Sequence, residues 1–136
     1  MADSDVEILR EMWGELSSAA PADSLNDELV DRWWHPELEY VEDPSWPGAS
    51  AYQGRDAVRD AWNAYLEVFG SAEMQLERIV EAGEDTVALV RIKGISKGAD
   101  VPFDHLWGYV CRVREGRLSY LRACWDPEDA LRAARS

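Results

Sequence analysis

Lysine is scarce in this chain, and cations as a whole are outnumbered: Lys+Arg is 14 against Asp+Glu 27, a formal net charge of −13. So acidic a surface repels phosphate backbones and anionic headgroups, so neither nucleic acid nor a membrane surface is an expected partner. Cysteine and histidine are as sparse, two of each. Cys111 and Cys124 are too few for a disulfide framework or a structural zinc site. His35 and His105 stand far apart with no metal-ligand spacing, so no metal is expected. There is no glycine-rich phosphate loop and no Gly-x-Ser-x-Gly nucleophile turn, and no cofactor is expected. No apolar run approaches the roughly 20 residues that span a bilayer. The acidic start, Met1-Ala2-Asp3-Ser4-Asp5, leads straight into a helical pattern, and a cytoplasmic location is the expectation.

What the chain does have is aromatic. Seven Trp and five Tyr accompany only two Phe, within a composition that is 46% hydrophobic. Rings with polar tips suit pockets and interfaces, where the N–H or O–H finds a partner. At 136 residues the chain is expected to form one domain over 1–136.

Apolar spacing predicts a helix over about 5–18, with Val6, Leu9, Trp13 and Leu16 on one face. Ala20-Pro21-Ala22-Asp23 ends it, and Ser24 with Asp27 opens a shorter helix that stops at His35-Pro36. Leu38 to Asp43 reads as a short strand before a loop rich in proline. Gly54 precedes a third helix over 55–69, with Gly70 at its C-terminal cap. After Gly70 the period changes to two. Met74–Ala82, Thr86–Ser96, Val101–Val113 and Leu118–Trp125 read as four antiparallel strands joined by short turns. Asp126-Pro127 then caps a final short helix. Helices before an antiparallel meander give an α+β class, in the order α-α-β-α-β-β-β-β-α.

The Glu115-Gly116 turn pairs Arg114 with Arg117. Continued without interruption, that register puts Asp104, Leu106, Gly108 and Val110 beside Leu121, Ala123 and Trp125 on a helix-covered face. His105, Trp107, Tyr109, Cys111 and Val113 share the other face with Leu118, Tyr120, Arg122 and Cys124. Both faces are apolar, so a second subunit is the expected cover for the latter, making a homodimer. The cysteines lie about 13 Å apart in this register at roughly 3.3 Å per residue, too far for a disulfide.

The chain resembles the nuclear transport factor 2-like superfamily, and within it the SnoaL-like group. The residues that carry the likeness are Leu38-Glu39-Tyr40-Val41-Glu42-Asp43-Pro44, then Tyr52-Gln53-Gly54-Arg55-Asp56-Ala57-Val58, then Arg112-Val113-Arg114-Glu115-Gly116-Arg117-Leu118, and Trp125-Asp126. The resemblance implies a cystatin-like fold, a curved antiparallel sheet wrapped by the N-terminal helices into a cone with a pocket. Val41-Glu42-Asp43-Pro44 is also similar to the ketosteroid isomerase segment that carries the general base. Pro102-Phe103-Asp104-His105 is similar to that enzyme's segment with a protonated aspartate. Asp43 and Asp104 are thus the candidate catalytic residues. Trp13, Tyr40, Trp46, Trp62, Leu106, Leu121 and Trp125 are the candidate ligand-binding residues.

Two functions follow. One is a cofactor-free isomerase, cyclase or dehydratase type of enzyme, with Asp43 as general base on a small apolar or polycyclic carbonyl compound. The other is a binding module that holds such a molecule unchanged, Asp43 only ordering the turn before Pro44. The first helix offers no tyrosine to stabilise an enolate, which favours binding. The position matching the base of the SnoaL cyclases is Ala123, which cannot take a proton.

Overall fold

The computed structural model describes residues 2–18, 25–45, 48–69, 72–96, 98 and 100–135. The chain runs α1 (Ala2–Ser18), α2 (Asp27–Trp33), β1 (Trp34–Val41), β2 (Ala51–Gln53) and α3 (Arg55–Phe69). It continues through β3 (Ala72–Ala82), β4 (Asp85–Ile95), β5 (Pro102–Arg114), β6 (Arg117–Cys124) and α4 (Pro127–Arg135). The expected order holds with one addition, the three-residue β2. Its Tyr52 pairs with Tyr40 on β1, and it has no period of its own to betray it. The expectations for Ala20 to Ser24, Trp46 and Gly70 lie outside the described residues.

Six strands form one sheet in the order β2-β1-β6-β5-β4-β3. Every pair is antiparallel except β1 with β6, which is parallel and makes the sheet mixed. Leu9, Met12, Trp13 and Leu16 of α1 and Val58, Trp62 and Leu66 of α3 bury their stripes in the main core over the inner face. The cap of α2 is Asn26, whose side-chain oxygen accepts from the Glu28 and Leu29 N–H groups.

The final hairpin departs from its expected register. Val113 pairs with Leu118, but Arg112 pairs with Tyr120, so Ser119 is an extra residue in β6. Its hydroxyl donates to the Arg112 carbonyl (3.1 Å). One inserted residue moves every later side chain to the other face. Leu121 and Ala123 therefore join Tyr109 and Cys111 in the main core, while Cys124 joins Val110 in a second one. The two free thiols lie in different cores.

The choice of inner face is corrected too. The helices α1 to α3 cover the face of Phe103, Trp107, Tyr109 and Cys111, not that of Leu106 and Gly108. Helix α4 lies on the opposite face, and Gly108 makes this possible. A Cβ there would sit 2.7 Å from Ala130 Cβ and 2.9 Å from Pro127 Cα. Alternation alone cannot tell two apolar faces apart; bulk on one and a glycine on the other do. The face expected to need a second subunit is filled by the chain's own helices.

Candidate functional site

A cavity of about 210 Å³ opens where the inner face meets the ends of β1 and β6. Strand β1 supplies Tyr40 and, just past its end, Glu42 and Asp43; α3 supplies Trp62, Tyr65 and Leu66. The other strands supply Met74, Ile92, Phe103, His105, Trp107, Tyr109 and Ala123, and Trp125 follows β6. The wall is a chain of rings: Tyr40 to Trp62 at 5.8 Å, Trp62 to Tyr109 at 6.0 Å, and Trp107 edge-on to Trp125 at 5.1 Å. Burial raises the pKa of the Tyr40 and Tyr109 phenols, so both stay protonated donors.

Three polar side chains stand among these rings. Asp43 is 8% exposed, yet its carboxylate is well supplied. Oδ1 accepts from the Ser45 N–H (2.9 Å) and hydroxyl (2.8 Å), and Oδ2 accepts from the Trp125 N–H (2.7 Å). Burial pushes its pKa up, but the hydrogen bonds from Trp125 and Ser45, helped by the charge of Arg122, outweigh that and hold it below the ordinary value. His105 stacks on Trp125, ring centroids 3.4 Å apart, and its Nε2–H donates to the Trp125 carbonyl (2.6 Å). In the neutral ring that bond leaves Nδ1 as the proton acceptor. Glu42 is equally buried and accepts at Oε1 from the Ser50 N–H (3.0 Å). The backbone of Trp125 is thus held on both sides, by Asp43 at its N–H and by His105 at its C=O.

Of the residues singled out in the sequence, Asp43, Tyr40, Trp62 and Trp125 line the cavity together. Trp13 and Leu121 instead border a gap of about 10 Å³ deeper in the core. Asp104 and Leu106 do not reach the site. They alternate with the cavity residues His105 and Trp107, and Asp104 is paired across the strands with Arg91 (2.9 Å). Trp46 lies outside the described residues. The sequence reading missed His105, Trp107 and Tyr109, which it had placed on the other face. It also passed over Glu42, the neighbour of the aspartate that drew attention. Behind Asp43, on the α4 side, a more polar hollow of about 370 Å³ is lined by Arg122, Cys124, Asp129 and Arg132. Among the described residues no cluster of His, Cys, Asp and Glu could hold a metal ion, and no helix is long and apolar enough to cross a membrane.

The fold is shared widely. A protein from Jannaschia sp. described as a SnoaL-like polyketide cyclase superposes with a TM-score of 0.73 at 14% identity, over 98% of this chain and 93% of that one. An NTF2-like protein from Anabaena variabilis gives 0.75 at 12% identity, over 93% and 92%. TerC, crystallised with polyporic acid, gives 0.71 at 12% identity, over 98% and 99%. These likenesses establish the α+β NTF2-like fold. No curated protein matches the chain by sequence. A family model for the SnoaL-like domain, however, matches residues 22–121, a span that runs from ahead of α2 into β6 and holds most of the cavity wall, and the chain belongs to that family.

Proposed function

We propose that this protein binds a small, planar, largely apolar carbonyl compound and moves a proton on it without a cofactor, as an isomerase, cyclase or dehydratase type of enzyme. The observation that carries this is the cavity itself, ring-walled and of a size for one or two fused rings, with Glu42, Asp43 and His105 among its lining residues. That one structural neighbour was crystallised with polyporic acid supports an aromatic ligand. We assign the general base to His105 rather than Asp43. A carboxylate holding three hydrogen bonds is a weak base, whereas His105 has its tautomer fixed by the Trp125 carbonyl. Asp43 then serves as a positioning residue, holding Trp125 so that Trp125 can hold His105. In the reaction Nδ1 takes a proton from the carbon beside the carbonyl, leaving a conjugated enolate and an imidazolium, and the imidazolium returns that proton to another carbon of the enolate.

A second reading, a non-catalytic binder, is favoured by Ala123, which stands in the cavity wall with no proton to give or take. Hydrogen–deuterium exchange separates the two. With 1-tetralone in D₂O, the enzyme reading expects faster deuteration at the carbon beside the carbonyl, slowed about 10²- to 10⁴-fold by His105→Gln. Binding without acceleration establishes the binder.

We also propose a homodimer through the outer sheet face beyond α4. Leu106 and the Arg91–Asp104 and Arg91–Glu77 ion pairs stand there, with exposed Ile95 and Val101 at the nearby β4–β5 turn.

A further inference from the structure

Two buried indole donors of the main core lack an oxygen or nitrogen acceptor among the described residues. The indole Nε1–H groups of Trp13 and Trp62 are both shut off from water; among the described residues Trp62 finds no acceptor and Trp13 has only the Cys111 thiol beside it. The residues are 2% and 6% exposed. Trp13 lies close enough to the Cys111 thiol to offset part of the rise that burial gives its pKa, but sulfur is a weak acceptor and leaves the donor unsatisfied. An unsatisfied buried donor is costly and demands an explanation.

The same two indoles border one gap. It lies between α1, α3 and the inner sheet face, is about 10 Å³ in volume, and is otherwise walled by Trp34 and by apolar side chains such as Met12, Leu25 and Leu121. A void of that size holds a single oxygen atom. It is also next door to the main cavity, because Trp62 and Met74 line both. Methionine is the most adaptable of core side chains, so the partition between the two spaces is one that can yield.

Resting on the binding reading above, we propose that the gap is the anchoring subsite for the ligand's carbonyl oxygen, which passes Met74 and accepts hydrogen bonds from Trp13 and Trp62. The ligand is thus an aromatic ketone or a related compound with one oxygen at its inner end. A hydrocarbon of the same shape gains nothing from the two donors.

The test compares 1-tetralone with tetralin, which has the same carbon skeleton and no oxygen. Tryptophan fluorescence gives both dissociation constants in the native protein, in Trp62→Phe and in Trp13→Phe. Each substitution keeps an aromatic ring and removes the N–H. The expected result is about a tenfold loss for 1-tetralone with tetralin changed less than about twofold. Parallel changes for the two ligands, or none, would overturn the proposal. Should either variant fail to fold, the infrared carbonyl stretch of 1-tetralone bound to native protein decides. A band shifted below its position in cyclohexane supports the subsite, and an unshifted band overturns it. A crystal structure with 1-tetralone bound, a water filling the gap and the ketone oxygen elsewhere also overturns it. Failure of both ligands to bind overturns the pocket reading, and this inference with it. Binding of both with unshifted carbonyl overturns the inference alone.

Discussion

Asp43 shows how a residue can be legible in sequence while its surroundings are not. Its place beside an aromatic cavity was readable from Val41-Glu42-Asp43-Pro44, but its hydrogen bonds were not, because Trp125 is 82 residues away. Those bonds make a testable claim about pH. The folded pKa of Asp43 is depressed, so its contribution to stability is fully present above the unfolded value near 3.9 and is lost as pH falls through the lower folded one. Asp43→Asn loses the charge and turns an amide toward a donor, and is expected to cost about 2 kcal/mol at neutral pH. Urea melts at pH 6 and pH 3 check this. The gap between native protein and variant should narrow at the lower pH, and a gap that stays constant contradicts the clamp.

The elements were largely legible, and the reason is periodicity. Helix α3 spans the residues its apolar stripe marks, and β3 to β6 begin and end within two residues of the change in pattern. What did not follow from pattern was the extra Ser119 and the choice between two apolar faces. A two-residue turn sets the register beside it but cannot announce a bulge three residues further on. That single residue moved Leu121 and Ala123 to the inner face. The face choice misplaced Asp104 and Leu106 and hid His105. Gly108 held the missing information, since only a glycine admits α4 so close to β5. Gly108→Ala is accordingly expected to cost about 1–3 kcal/mol by forcing α4 outward. Chemical denaturation measures it, and an unchanged midpoint would contradict the packing described for α4.

At the scale of the whole molecule, a short polypeptide makes two cores by placing three helices on one sheet face and one on the other. The larger core is hollow at one end, and the hollow holds the ring-walled cavity. The proposed pairing of two molecules is checked by light scattering at micromolar concentration, where a mass twice 15.4 kDa is expected and a single mass contradicts it. The central claim is the location of the ligand, and methyl NMR tests it most directly. Titration with 1-tetralone should move the methyl signals of Met74, Ile92 and Leu66, which line the cavity, and leave those of Val87, Val110 and Leu131 in the α4 core unchanged. Shifts confined to the α4 side, or none at saturating ligand, would contradict it.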